Sequence, residues 1–251
     1  MFTGKIFSMD SAKAIKAQGY GYLNAIMYMA PATLAGTGNV CPHASPACLA
    51  ACLGWTSGQA SLVKRDDDIN PARASRIAKT KSFMQDRQAF MLYVVKSIKG
   101  AERKAQKANL KLCVRLNGSS DIAWEGVRFE LEGKRVSIFE AFPHVQFVDY
   151  TKNPYRFNRA LPSNYHLTFS RSETNEAQAL ELLAKGVNVA VVFGGGLPTE
   201  WNEFQVVNGD EHDLRHLDPK GGFVIGLSPK GRKAQKETSG FVVRDYKAAA
   251  A

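Results

Sequence analysis

The chain has 251 residues, 45% of them hydrophobic, and a formal net charge of +10 with an isoelectric point near 9.5. That length fits one large domain over residues 1–251 better than two, with apolar content enough for a sizeable core. No run approaches the roughly 20 apolar residues of a membrane-spanning helix, and Met1-Phe-Thr-Gly-Lys5 lacks the apolar stretch of a signal peptide, so a cytoplasmic protein with no membrane contact is expected.

In chain order, the first predicted strand is the apolar run Tyr20 to Met29. A Pro- and Gly-rich loop at about 36–58 follows, and it holds three of the four cysteines as Cys41-Pro-His-Ala-Ser-Pro-Ala-Cys48-Leu-Ala-Ala-Cys52. The acidic run Asp66 to Asp68 reads as favourable charge at the start of a helix rather than as a metal site, because consecutive side chains do not point to one centre. That helix is predicted from Pro71 to about Lys107 with a break near Gly100, and Ile77, Phe83, Phe90, Val94 and Ile98 recur in it at helical spacing. Strands are predicted at Lys111 to Leu116, Val145 to Tyr150, Tyr165 to Phe169, Val187 to Phe193 and Gly222 to Leu227. Between the fourth and fifth strands, Glu173 to Lys185 carries helix start and stop signals, with Gly186 after it. Shorter helical or irregular crossovers fit 122–142 and 153–160.

Most of these strands are near-continuous apolar runs, as expected of strands buried on both faces of a parallel sheet. Each is followed at once by a polar or Gly-rich cluster: the cysteine loop, Asn117 to Asp121, Thr151 to Asn153, Ser170 to Glu173, Gly194 to Pro198 and Ser228 to Gly231. Polar groups at the carboxyl ends of many parallel strands converge on one face of a barrel, whereas an open doubly wound sheet focuses ligands at its switch point. The expected fold is therefore α/β, a partial TIM-like (βα)6 barrel of mostly parallel strands.

Cys41, Cys48 and Cys52 are the expected metal ligands. Three clustered thiolates repel one another and oxidise, and a metal offsets both costs. Structural zinc closes its shell with four ligands, often as paired knuckles, and a second pair is missing here. Three thiolates on a 4Fe–4S cluster leave one iron open. An iron–sulfur cluster, a zinc ion and a reduced metal-free loop are the readings, taken in that order, with His43 as a candidate fourth ligand and Cys113 as a core residue. Asn208 to His216 is the densest polar stretch, read as a solvated turn or as a pocket with His212 as acid or base. His144 and His166, at strand starts, read as structural. The basic blocks Lys96 to Lys111 and Lys230 to Lys236 suit an anionic partner, of which nucleic acid is one.

A three-cysteine loop after the first strand of a partial βα barrel resembles the radical S-adenosylmethionine superfamily. More closely, Cys41-Pro to Cys52-Leu-Gly54 together with Arg115-Leu-Asn-Gly-Ser-Ser-Asp121 is similar to a phage-encoded protein family with a C-P-x5-C-x3-C loop. The superfamily's usual loop is C-x3-C-x2-C, and both gaps are longer here. The resemblance implies a 4Fe–4S cluster on Cys41, Cys48 and Cys52, whose open iron binds S-adenosylmethionine and passes it an electron. The resulting carbon radical would take hydrogen from a substrate, and an electron donor, a reductase or ferredoxin, would be the partner. Asp121 stands where the superfamily has an acidic group for the methionine amine. Ser170 and Arg171 resemble residues that meet ribose or carboxylate, and Gly194 and Gly195 would admit the adenosine. The setting implied is a host cell's cytoplasm. A non-catalytic iron–sulfur carrier and a zinc-stabilised basic nucleic-acid-binding module are the alternatives.

Overall fold

The computed structural model describes residues 2–246. Strand β1 (Phe7–Ser8) and helix α1 (Ala12–Lys16) lead into β2 (Tyr22–Met27), and the cysteine loop then carries two short helices, α2 (Pro46–Ala50) and α3 (Leu53–Thr56). Helices α4 (Pro71–Gln85) and α5 (Arg87–Lys107) precede β3 (Lys111–Arg115). A hairpin of β4 (Phe129–Leu131) and β5 (Lys134–Val136), with helix α6 (Ile138–Ala141), connects to β6 (Gln146–Thr151) and β7 (Tyr165–Ser170). Helix α7 (Glu176–Ala184) leads to β8 (Val189–Phe193), followed by β9 (Glu200–Trp201), β10 (Phe204–Asn208), β11 (Val224–Leu227), α8 (Arg232–Gln235) and β12 (Val242–Val243).

The six predicted strands are β2, β3, β6, β7, β8 and β11, and they lie side by side in that order, all parallel. β1 extends one edge antiparallel to β2; β10 and β9 extend the other. The fold is a mixed α/β domain on a mostly parallel central sheet. From β2 to β8 the strands of the sheet follow chain order, and the order reverses only beyond β8, where β11 inserts between β8 and β10. Its ends, β1 and β9, do not pair among the described residues, so the sheet is open.

One face packs the helices. Ala25, Met27, Val114 and Phe147 meet Phe90, Val94 and Ile98 of α5, and Phe169, Val189 and Val191 meet Leu182 and Leu183 of α7. The register sets the opposite row, pairing Asn24 with Cys113, Val148 with His166 and Tyr150 with Thr168. The chain after β10 covers this face: Leu214 packs on Cys113 and Val148, and Arg215 beside it is fully buried. The stretch after Asn208 is thus a plug against the sheet, not a solvated turn; its Leu214 supplies the apolar contact that draws the polar neighbours inside.

The long helix breaks at Asp86, not near Gly100. Asp86 leaves helical backbone angles (φ −144°, ψ 83°), and its side chain accepts from the Ala89 amide at 2.9 Å, making it the N-cap of α5. Gly100 continues the helix at a cost of about 1 kcal/mol relative to alanine. Asp66 to Asp68 lie in a turn before α4, whose N-cap is Asn70, so they are not its first turn. Strand β12 pairs with the outer half of β8, on the edge where β7 pairs with the inner half. The carboxyl ends of β7 and β8 therefore splay, and the C-terminal segment fills the wedge.

Candidate functional site

A cavity of about 230 Å3 opens at the carboxyl ends of the parallel strands. Its walls come from Asn117 to Asp121 after β3, Thr151 and Lys152 at the end of β6, Ser170 of β7, Ser228 to Lys230 after β11, and Cys41, Cys48 and Cys52. Five of the six strand-end clusters predicted from the sequence reach this cavity, the exception being Gly194 to Pro198 after β8, and all three clustered cysteines share it. Cys113 does not reach it; that thiol is fully buried against the plug.

The cysteine loop is held from three sides. Helix α4 supplies one: Arg73 is buried and donates to the carbonyls of Trp55, Ala60 and Asp68 at 3.0, 2.8 and 2.8 Å, while Thr80 accepts from the Ala30 amide at 2.9 Å. Arg76 donates to the Gly54 carbonyl and stacks over Tyr28. The loop after β7 supplies the second. Ser45 caps α2 by accepting from the Cys48 amide at 3.2 Å, Pro46 occupies the first helical turn, and the Glu173 carboxylate receives the Ser45 hydroxyl and the Ala47 amide. The third is the loop after β3. A Cβ at Gly54 would lie 2.2 Å from Ser119 Cβ, and one at Gly118 would lie 2.5 Å from the Met27 carbonyl oxygen, so both glycines allow contacts that no side chain would. Cys41 is tied in at its sulfur, which accepts from the Ala32 amide at 3.3 Å; Ala32 holds φ +49°, a left-handed angle uncommon for alanine.

Burial dominates the electrostatics. It pushes the Cys41 thiol up to about 11 and the Cys52 thiol up to about 12, with the amides of Ala32 and Gly54 offsetting part of each shift, and it raises Cys48 as well. Burial in the metal-free pocket thus favours the neutral form of all three thiols. Lys152 is buried beside Cys48; its Nζ donates to Ser170 Oγ at 2.7 Å and lies over the Phe241 ring. Arg115 stacks on Tyr150 in the same wall.

Among the described residues, no three His, Cys, Asp or Glu side chains are grouped to hold one metal ion. A single zinc would need its thiolate sulfurs about 3.8 Å apart, as tetrahedral Zn–S bonds of about 2.3 Å require. A cluster distributes three thiolates over three irons and accepts a wider spread. Cys41, Cys48 and Cys52 line one cavity, with the Ala32 amide at the Cys41 sulfur, and three cysteine thiols are a donor set of the kind that iron–sulfur clusters use.

Asp121 and Ser170 line the cavity with the cysteines. The Asp121 carboxylate is already engaged, by the Lys152 amide at 2.8 Å and by Arg156 at 3.3 Å. Arg171, Gly194 and Gly195 are not in the cavity wall. Arg171 binds Glu176 and the carbonyls of Gly240 and Phe241, a Cβ at Gly194 would strike Arg244, and the Gly195 amide donates to the Tyr246 hydroxyl at 2.7 Å. The C-terminal segment occupies the place expected for an adenosine. His43 is exposed and outside the wall. His212 lies against Tyr20 and Arg215, with burial lowering its pKa. His144 pairs with Glu102, and His166 faces the plug with its Nε2 buried. Lys152, Arg115 and Glu173 were missed as site residues. Each is a lone charged residue at a strand end or in a loop, and only strand register shows that Arg115 and Lys152 share a wall.

A family model described as gene product 88 matches residues 5–245. No curated protein and no solved structure matches the chain. No helix among the described residues is long and apolar enough to cross a membrane.

Proposed function

The chain belongs to the gene product 88 family, a phage-type family, and from that premise we propose that it is an iron–sulfur protein whose cluster is held by Cys41, Cys48 and Cys52. The observation that carries this reading is the convergence of the three thiols on one cavity at the carboxyl ends of six sequential parallel strands. The run of six adjacent parallel strands, β2, β3, β6, β7, β8 and β11, also supports reading the open sheet as a partial βα barrel. When bound, a 4Fe–4S cluster with three protein ligands supplies one open coordination position and an electron at the cavity wall.

The chain's own residues do the rest. Arg73, Arg76 and Glu173 fix the loop so that the three sulfurs are presented together. The Lys152 ammonium beside Cys48 and the Ala32 amide at Cys41 favour the anionic sulfur that a metal requires. The volume beyond the thiols, walled by Ser119, Ser120, Asp121 and Ser170, favours an enzyme with a small-molecule substrate over a carrier, which needs no enclosed space. S-adenosylmethionine is the ligand the resemblance implies for the open position, and a reductase or ferredoxin is the matching donor. Its adenosine would have to displace the C-terminal segment from Gly194 and Gly195 or bind elsewhere in the cavity. Spectroscopy of anaerobically reconstituted protein tests the proposal. A 4Fe–4S signal that shifts on adding S-adenosylmethionine is expected. An unshifted signal selects the carrier, and colourless protein with stoichiometric zinc removes both.

A further inference from the structure

The cavity wall opposite in character to the thiols is cationic, carrying Arg115, Lys152 and Lys230. Arg115 ends β3 and lines the cavity. Its Nε is buried with no hydrogen-bond partner among the described residues. Arg115 is ion-paired with Asp213, one of whose carboxylate oxygens lies 3.6 Å from Nη1. The guanidinium is also stacked on Tyr150 at 4.7 Å, which holds its plane without using its donors. Two residues beyond Tyr150, Lys152 points its ammonium at neutral acceptors only: Ser170 Oγ at 2.7 Å, the Ser170 carbonyl at 3.3 Å and the Arg171 carbonyl at 3.4 Å. No carboxylate lies within ion-pair distance of it among the described residues, whereas the other cation of the wall, Lys230, is paired with Asp210 at 2.5 Å.

A buried ammonium with no ion pair among the described residues, as at Lys152, and a buried guanidinium Nε with no acceptor, as at Arg115, are both costly and are satisfied by an added anion. An oxyanion placed between them would take the fork-shaped donors of Arg115 in bidentate fashion and the point charge of Lys152. The hydroxyls of Ser120 and Ser170 lie in the same wall to complete its shell. Leu49, Leu227 and Phe241 line the remainder, giving an apolar compartment for the rest of the molecule.

We propose that the cavity binds a small molecule through an oxyanion, a carboxylate or phosphate, recognised by Arg115 and Lys152, with an apolar body against Leu227 and Phe241. This names the substrate class of the site and rests on the reading that the site is catalytic. It does not rest on the cluster being present.

Calorimetric titration of the full-length protein with inorganic phosphate and with succinate tests it, with iron and sulfide assayed on the same sample. Saturable binding of one probe per chain is expected, and the tighter probe identifies the anion. Lys152→Gln and Arg115→Gln should each weaken it at least about tenfold, the scale of one lost charge-assisted hydrogen bond, while Lys99→Gln on the exposed side of α5 should leave it unchanged. If Arg115→Gln does not fold, Arg115→Lys, which keeps the charge and loses the fork, carries the same test. No saturable binding of either probe, or binding indifferent to both positions, overturns the proposal. Protein that takes up no iron on anaerobic reconstitution yet binds a probe leaves this inference standing and removes the cluster reading. Protein with full iron that binds neither removes this inference alone.

Discussion

Glu173 and Ser45 are 128 positions apart in the chain, and the Glu173 carboxylate accepts the Ser45 hydroxyl at 2.7 Å. Its other oxygen takes the Ala47 amide at 3.0 Å. A single side chain after β7 thereby closes the amino end of the helix that carries Cys48, tying the cysteine loop to the strand ends that form the rest of the cavity. Glu173 is a positioning residue, not a ligand.

Glu173→Ala should lower stability by about 1–2 kcal/mol, the usual scale of a lost N-terminal cap. It should also speed alkylation of Cys48 in iron-free protein more than that of Cys113. Equal rates in variant and wild type would show that Ser45 and Pro46 hold the helix unaided.

Gly54→Ala places a methyl group 2.2 Å from Ser119 Cβ, so the cysteine loop must move off the β3 loop. Urea unfolding should show a loss of about 1–3 kcal/mol, the range for overpacking. Gly19→Ala, where a Cβ meets nothing within 4 Å, should be near neutral.

The raised thiols make alkylation slow. With Cys52 pushed up to about 12 and Cys41 to about 11, iodoacetamide at about pH 8 should modify Cys52 in iron-free protein at least about a hundredfold more slowly than a peptide thiol. The rate should climb with pH, and metal uptake, which needs the deprotonated sulfurs, should climb with it. Peptide-like reactivity at Cys52 would mean that the loop is open in solution.

Asp149 is fully buried, and burial pushes its carboxyl up to about 7 despite the Asn117 amide at 2.7 Å and the Tyr165 hydroxyl at 3.0 Å. The folded state then holds this proton more tightly than the unfolded chain. The contribution to stability is complete below the ordinary value of 3.8 and is lost as pH rises through about 7. Denaturant unfolding across that window should fall with pH in wild type and be flatter in Asp149→Asn. Parallel profiles would place the carboxyl's titration outside the window.

The six parallel strands were legible because each is an apolar run ended by polar or glycine residues, and the cysteine cluster was legible from spacing alone. What escaped depended on contacts distant in sequence. Strand β10, Phe204–Asn208, has only intermediate or exposed residues and gains its place by pairing with β11. Glu173 reads as the start of α7 yet turns to Ser45, so α7 begins at Glu176. Gly194 and Gly195 read as a cradle, but the wedge between β7 and β8 that would leave them free is filled by β12, a two-residue strand too short to carry a pattern. The break at Asp86 lost to Gly100 because glycine is the louder helix breaker in a sequence, whereas a capping aspartate shows itself only through its bond to Ala89.

The central claim is tested most directly by iron and acid-labile sulfide per chain, with electron paramagnetic resonance of the reduced protein after anaerobic reconstitution. About four irons and four sulfides per chain are predicted, with a cubane-type signal lost in Cys41→Ala, Cys48→Ala and Cys52→Ala and kept in Cys113→Ala. Wild-type protein that takes up no iron under these conditions, or that loads iron equally well in all three cavity variants, would contradict the account.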